Sequence, residues 1–139
     1  MATKVLDSWA LMAFFEDEPA AAAVEKLIQQ AADGKHKLLL SAVNWGEIYY
    51  STMRRVSQKA AERIAGEIAM LPIEVVGVDE DLALVRQAAI FKATRKMAYA
   101  DCFAAALAKL RKAELVTGDP EFREVEGEVR IAWLARTEK

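Results

Sequence analysis

The sequence contains one cysteine, Cys102, and one histidine, His36, among 139 residues. A single cysteine excludes an internal disulfide and a cysteine-rich zinc site, and a single histidine excludes the usual histidine-cluster metal sites. Any metal ion that binds this chain must therefore be held by oxygen atoms. The position of His36 between two lysines predicts an exposed loop imidazole, whereas Cys102 is expected to pack as a small core residue.

Long apolar runs, glycine, proline and excess basic charge are also scarce. No segment approaches the roughly 20 apolar residues that a membrane-spanning helix needs, and the amino terminus lacks the long apolar stretch of a signal peptide. Six glycines and three prolines are too few for a linker or a disordered tail. The net charge of -2 gives no overall attraction to nucleic acid. We therefore expect one cytoplasmic domain that spans residues 1–139.

The sequence does contain an alternation of short apolar runs and helical periodicities. The apolar runs predict β-strands, which lie at residues 4–6, 38–40, 73–78, 115–117 and 129–134. Apolar residues at helical spacing predict the intervening helices, which lie at about residues 9–15, 20–33, 41–53, 58–71, 79 or 81 to 93, and 98–113. This alternation indicates an α/β fold, in which a mostly parallel sheet of four to five strands carries helices on both faces.

Several polar residues mark the predicted helix boundaries. Asp7 or Ser8 can cap the first helix, and Ser57 can cap the fourth. Asp79 or Asp81 is expected to begin the fifth helix. The third and fourth helices are close enough in sequence to form a hairpin.

Four acidic residues occupy comparable places in this predicted fold. Asp7 and Asp119 directly follow predicted strands, and Glu47 lies in the helix after the second strand. Asp101 lies near the start of the alanine-rich helix. The carboxyl ends of parallel strands meet at one edge of the sheet, where ligands bind in open α/β folds. We therefore expect the four carboxylates to converge.

Each of these acids also has a purely structural interpretation. Asp7 is a possible helix cap, Glu47 an exposed helix acid, Asp101 a helix-dipole residue and Asp119 a turn residue. Four converging carboxylates would, however, repel one another and raise their pKa values unless a cation compensated them. A hard divalent ion such as Mg²⁺ or Mn²⁺ prefers oxygen ligands and supplies that compensation.

Four segments carry a resemblance to a known family. They are "VLDSWALMAFF" with Asp7, "SAVNWGEIYY" with Glu47, "AYADCFAAALA" with Asp101 and "VTGDPEF" with Asp119. In this order the segments resemble PIN-domain proteins, and more narrowly the VapC-type toxin ribonucleases, over nearly the full length. The resemblance implies a metal-dependent endoribonuclease that forms a homodimer. It also implies a VapB-type antitoxin partner whose carboxyl-terminal segment blocks the acidic pocket.

The resemblance and the acid pattern together lead to a hypothesis for the site. Asp7, Asp101 and Asp119 hold one or two Mg²⁺ or Mn²⁺ ions, while Glu47 orients or deprotonates the attacking water or completes the ligand set. A hydroxyl group lies beside two of the acids in the matching motifs. Ser8 and Thr117 are therefore plausible hydroxyl partners of the pocket.

Basic and aromatic residues offer candidate contacts to an RNA substrate. The basic candidates are Arg54, Arg55, Lys92, Arg95 and Lys96. Trp9 or Trp45, beside the acids in sequence, could stack on a base. A solvated basic face and core tryptophans explain the same residues equally well.

Other functions are compatible with part of this pattern. A receiver-like signalling domain also gathers acids at strand ends around Mg²⁺, but it usually has paired acids after the first strand, where this chain has Asp7 and Ser8. A haloacid dehalogenase-type phosphatase carries a second aspartate where Trp9 stands. A PIN nuclease of RNA processing and a binding protein without catalysis also remain open.

Overall fold

A computed structural model describes residues 2–80 and 82–135 as one five-stranded sheet with helices on both faces. The strands are β1 (Ala2–Leu6), β2 (His36–Ser41), β3 (Ile73–Val76), β4 (Glu114–Thr117) and β5 (Ile131–Trp133). The helices are α1 (Ser8–Phe15), α2 (Ala21–Ala32), α3 (Ala42–Arg55), α4 (Gln58–Ala69), α5 (Ala83–Thr94) and α6 (Tyr99–Arg111). A 3₁₀ helix at Pro120–Val125 follows β4.

The sheet order is β3-β2-β1-β4-β5, and every neighbouring pair is parallel. β1 therefore lies at the centre, with β2 and β4 on either side. This arrangement confirms the predicted α/β class and the mostly parallel sheet. It also brings the carboxyl ends of β1, β2 and β4 to one edge.

Alternate side chains of the strands face two separate cores. Val5, Leu39 and Leu115 pack with α5, α6 and the 3₁₀ helix. Leu6 and Leu40 pack on the opposite face with apolar side chains from α1, α2, α3 and α4. Because both faces of the sheet are buried at its centre, β1, β2 and β4 each contain a short apolar run without polar alternation. Cys102 is fully buried in the first core, as predicted.

Local signals determine several helix boundaries. The Asp7 side chain accepts a hydrogen bond from the Ala10 amide at the start of α1 (2.9 Å), and Ser57 caps α4 through the Ala60 amide (3.1 Å). The predicted hairpin of α3 and α4 is present. Gly34, with a φ of +81°, follows α2 and supplies the left-handed turn that leads into β2.

The structure corrects the predicted start of α5. This helix begins at Ala83 with Leu82 at the N-cap position, in a left-handed conformation (φ 61°) and without a side-chain cap. Asp79 instead accepts the Leu82 amide through its backbone carbonyl (3.1 Å), four residues before the helix. Asp81 lies outside the described residues. The aspartates favoured an earlier start by capping propensity, but the hydrogen bond from the Leu82 amide to the Asp79 carbonyl delays the helix.

The environment of His36 was also predicted wrongly. Its side chain is buried rather than exposed, because His36 is the first residue of β2 and not part of a loop. The ring Nε2 donates a hydrogen bond to the Leu27 carbonyl of α2 (2.9 Å). The neighbouring lysines suggested an exposed segment, but the strand alternation directs His36 inward and Lys37 outward. In the described part of the chain, no helix combines the length and apolar character needed to cross a bilayer.

Candidate metal centre

Asp7 is held at the carboxyl end of the central strand by two hydrogen bonds. Its Oδ1 accepts the Ala10 amide at 2.9 Å, and its Oδ2 accepts the Thr117 hydroxyl of the neighbouring strand at 2.6 Å. The side chain is fully buried. Burial raises the pKa of Asp7 from 3.8 to about 7, although the bonds from Thr117 and Ala10 act in the opposite direction. Asp7 therefore caps α1, and burial makes its charged form unfavourable.

Asp119 and Glu47 lie close enough to Asp7 to raise its pKa further by like-charge repulsion. The Asp119 amide donates to the Thr117 hydroxyl oxygen (3.0 Å), and its Oδ1 accepts the Glu121 amide (2.9 Å) at the start of the 3₁₀ helix. Glu47 accepts a hydrogen bond of 2.6 Å from the Ser8 hydroxyl. Ser8 thus donates to Glu47, and Thr117 donates to Asp7. Each hydroxyl belongs to a different element from the acid that it contacts.

Asp101 lies in the first turn of α6, where its side chain is buried. Burial is the largest of the effects that raise its pKa, to about 9, and the hydrogen bond to Glu121 is the next. The charges of Asp119 and Asp7 act in the same direction. The hydrogen bond to Asp101 conversely lowers the pKa of Glu121. The two carboxyls therefore act on each other in opposite directions, which raises the pKa of Asp101 and lowers that of Glu121.

Glu121 is a fifth acid that the sequence reasoning missed. Carboxylate oxygens of Asp101, Asp119 and Glu121 lie within 4.8 Å of one another, a spacing that could hold a metal ion. Glu121 Oε1 also accepts the Ala98 amide (3.1 Å), and so it caps α6, whose N-cap residue offers no side chain for this purpose. A signal was present: the residue two positions after a turn aspartate donates its amide to that aspartate, which keeps it at the same edge.

The donor set fits a hard divalent cation. Burial and neighbouring acids raise the pKa of Asp101, a member of this set, to about 9 and that of the adjacent Asp7 to about 7, a cost that a bound cation would offset. The groups of the cluster are all carboxylates, and in the described part of the chain no histidine or cysteine thiol joins them. Carboxylate oxygens are the ligands that Mg²⁺ and Mn²⁺ prefer.

The five predicted RNA contacts do not lie in one patch. Lys92 is next to the acids: its ammonium donates to the Met97 carbonyl (2.9 Å) and lowers the pKa of Glu121. Arg95, which lies at the end of α5, forms an ion pair with Glu128. Lys96 follows Arg95, and its amide donates to Glu124. These contacts leave the RNA-binding role of the residues a prediction.

The remaining two predicted contacts lie at the end of α3. Arg55 forms an ion pair with Glu16, and Arg54 lies over the Tyr50 ring at 5.0 Å. Of the two tryptophans, Trp45 stacks on Tyr49 with ring centroids 5.6 Å apart. Trp9 lies against Gly118, where an added Cβ would come within 2.3 Å of the indole ring. The Trp9 ring thus packs against Gly118, the residue between Thr117 and Asp119.

The fold and the site define an α/β domain with a carboxylate cluster at the carboxyl edge of a parallel sheet. The sequence matches the PIN domain family over residues 4–128. The chain therefore belongs to the PIN domain family, and the receiver-like and dehalogenase-like alternatives are replaced by this assignment. No curated protein matches the chain in sequence.

Several solved structures with the same fold are of VapBC or VapC proteins. A chain of VapBC2 from Rickettsia felis, bound to a DNA fragment from its promoter, is 12% identical with a TM-score of 0.71, covering 96% of this chain and 99% of that one. DNA-bound VapBC from Salmonella typhimurium is 18% identical (TM-score 0.68; 95% and 98% covered). VapC20 from Mycobacterium tuberculosis, a toxin that cleaves the sarcin–ricin loop, is 18% identical (TM-score 0.67; 92% and 97% covered).

Proposed function

We propose that this protein is a metal-dependent endoribonuclease of the VapC toxin type, and that a VapB-type antitoxin is its partner. The observation that carries this proposal is the convergence of five acids, from β1, α3, α6 and the segment after β4, at one edge of a PIN domain. The VapBC structures with the same fold support the toxin assignment. The cation would be Mg²⁺ or Mn²⁺.

Asp101, Asp119 and Glu121 would hold the metal, with Asp7 as a further ligand or a ligand through water. A divalent cation supplies charge stabilisation at the phosphoryl oxygens, acidifies water and assists the leaving oxygen. The proton on Asp101 must leave before this carboxylate can bind a cation, because ligands are deprotonated. The short bond between Thr117 and Asp7 fixes the Asp7 oxygens for this role.

Glu47 would orient or deprotonate the water molecule that attacks the phosphodiester. Ser8 donates a hydrogen bond of 2.6 Å to one of its oxygens, which leaves the other oxygen to orient or deprotonate water. Ser8 is the residue after Asp7, so the same turn positions Glu47 and Asp7. Lys92, beside Glu121, is the basic residue best placed to meet a phosphate of the RNA backbone.

The test is cleavage of labelled RNA by the purified protein with Mg²⁺ or Mn²⁺. A sarcin–ricin loop fragment and bulk tRNA serve as substrates, since VapC20 acts on the former. Asp101→Asn and an EDTA control should abolish cleavage, while Asp33→Asn, which changes an exposed aspartate, should retain it. Equal cleavage by Asp101→Asn would contradict the assignment. Metal binding without cleavage of any RNA would instead support a binding protein.

The toxin role and the dimer need separate measurements. Expression in a bacterial host should arrest growth with the wild-type chain and not with Asp101→Asn. Normal growth together with RNA cleavage in vitro would favour a PIN nuclease of RNA processing. Sedimentation equilibrium of the purified chain should give twice the monomer mass of 15.4 kDa for the proposed homodimer.

A further inference from the structure

Asn44, near the start of α3, is a buried polar residue that the proposed chemistry does not use. Its side chain is fully shielded from solvent, and its Nδ2 donates a hydrogen bond of 3.0 Å to the Ala100 carbonyl of α6. Asparagine is a weak helix former and is rarely fully buried. Asn44 and Ala100 are 56 positions apart in the sequence, so this buried hydrogen bond joins two distant helices. A buried asparagine in such a place needs a physical explanation.

Both ends of this tie lie beside proposed site residues. Asn44 precedes Glu47 by three positions on α3, and residues at this spacing lie on the same side of a helix. Ala100 directly precedes Asp101 on α6. The first turn of α6 is thus held at two backbone groups, by Glu121 at the Ala98 amide and by Asn44 at the Ala100 carbonyl.

The other polar atom of the Asn44 amide is its oxygen, Oδ1. Among the residues that the structure describes, Asn44 Oδ1 is buried without a hydrogen-bond donor. Burying an amide oxygen in this way opposes folding unless a donor from outside the chain, such as a water molecule, satisfies it.

We propose that Asn44 is a positioning residue that fixes the spacing between Glu47 and Asp101. Its amide connects the helix of the nucleophile-orienting acid to the helix of a metal-binding acid. This inference rests on the proposed function. Losing the tie should let α3 and α6 shift relative to each other, and a shift of this kind lowers metal affinity and turnover more than substrate binding.

The test compares Asn44→Leu with His36→Leu in the full-length chain. His36 offers a matched control, since it is also buried and its ring also donates to a backbone carbonyl, that of Leu27 (2.9 Å). It lies at the amino end of β2, whereas the acids lie at the carboxyl edge of the sheet. Mn²⁺ binding to metal-stripped protein is measured by electron paramagnetic resonance. Steady-state RNA cleavage at saturating Mn²⁺ then separates kcat from KM, and urea titration measures stability.

Both variants should lose stability, but only Asn44→Leu should lose function. We expect Mn²⁺ affinity and kcat to fall by about 10- to 100-fold, the range typical of outer-shell partners of metal sites, with KM for RNA within about twofold of wild type. His36→Leu should bind Mn²⁺ as the wild type does. If Asn44→Leu does not fold, Asn44→Ser, whose shorter side chain cannot span to Ala100, is judged by the same criteria.

Two results would overturn the inference, and they are distinguishable. Wild-type Mn²⁺ affinity and kcat in a folded Asn44 variant would show that the tie is only structural, with the proposed nuclease function intact. A wild-type chain that neither binds Mn²⁺ nor cleaves RNA would remove the proposed function and this inference with it.

Discussion

Replacing Asp7 by asparagine should make the metal-free protein more stable at pH 8 while abolishing cleavage. Asparagine keeps the size of the side chain and can still accept the Ala10 amide through Oδ1. It removes a charge from a fully buried position among Asp119 and Glu47. The wild-type chain tolerates that charge because a bound cation would compensate it, so the cost is visible only without metal.

The magnitude follows from the pKa of Asp7. Its rise from 3.8 to about 7 corresponds to about 4 kcal/mol of destabilisation once the carboxyl is ionised in both states. Asparagine cannot accept the Thr117 hydroxyl at Oδ2, and this loss costs about 1–2 kcal/mol. The variant should therefore gain about 2 kcal/mol at pH 8, or a rise of roughly 6–8 °C in Tm.

The sign of the effect should reverse with pH. A carboxyl whose folded pKa is raised favours folding below its unfolded value, near pH 4, and loses that contribution as pH rises to about 7. Below pH 4 the wild type should therefore be more stable than Asp7→Asn, since its protonated carboxyl can still accept the Thr117 hydroxyl. Urea titrations in EDTA at pH 3.5, 5 and 8 measure the crossover, with Asp33→Asn as an exposed control.

A variant that is no more stable than wild type at pH 8 in EDTA would refute this reasoning. It would mean that the Asp7 carboxylate is already compensated by the protein's own groups. In that case the electrostatic argument for a cation at this edge would lose its support, even if the family assignment stood.

Three further predictions concern other parts of the site. Gly118→Ala should destabilise the chain by about 2 kcal/mol in urea, because its Cβ would lie 2.3 Å from the Trp9 ring; Gly66→Ala, which meets nothing within 4 Å, should not. Mg²⁺ should raise Tm more at pH 9 than at pH 5, since the high pKa values of Asp7 and Asp101 mean that protons occupy their oxygens at low pH; an equal shift at both values would contradict this. Glu121→Gln should weaken Mn²⁺ binding about tenfold by calorimetry, whereas Glu124→Gln, an exposed neighbour, should leave it unchanged.

Much of the fold could be predicted because its signals are local. Apolar runs such as Leu38 to Leu40 predict buried strands, and Ser57 marks a helix start by its own capping chemistry. The convergence of Asp7 and Asp119 also followed from local information, since residues after parallel strands share one edge of the sheet. The positions of these two acids in the chain were therefore sufficient to predict that they lie close together.

Contacts between distant segments could not be predicted in this way. His36 is buried because the strand directs it onto α2, and α5 begins only at Ala83 because the Leu82 amide is bound to the Asp79 carbonyl. Glu121 joins the acids because the 3₁₀ helix returns toward the start of α6. For His36 and the start of α5, local propensity pointed to another result, and contacts in the folded chain outweighed it.

The sequence by itself determined which residues could supply oxygen ligands and at which edge of the sheet they would gather. Only the tertiary structure decided which acid each hydroxyl meets and how the acids are charged: Thr117 donates to Asp7, Ser8 donates to Glu47, and burial raises the pKa of Asp101. The physical reason is that strand order and helix capping depend on short-range chemistry. Hydrogen-bond partners and pKa values depend instead on burial and on charges brought together from distant parts of the chain.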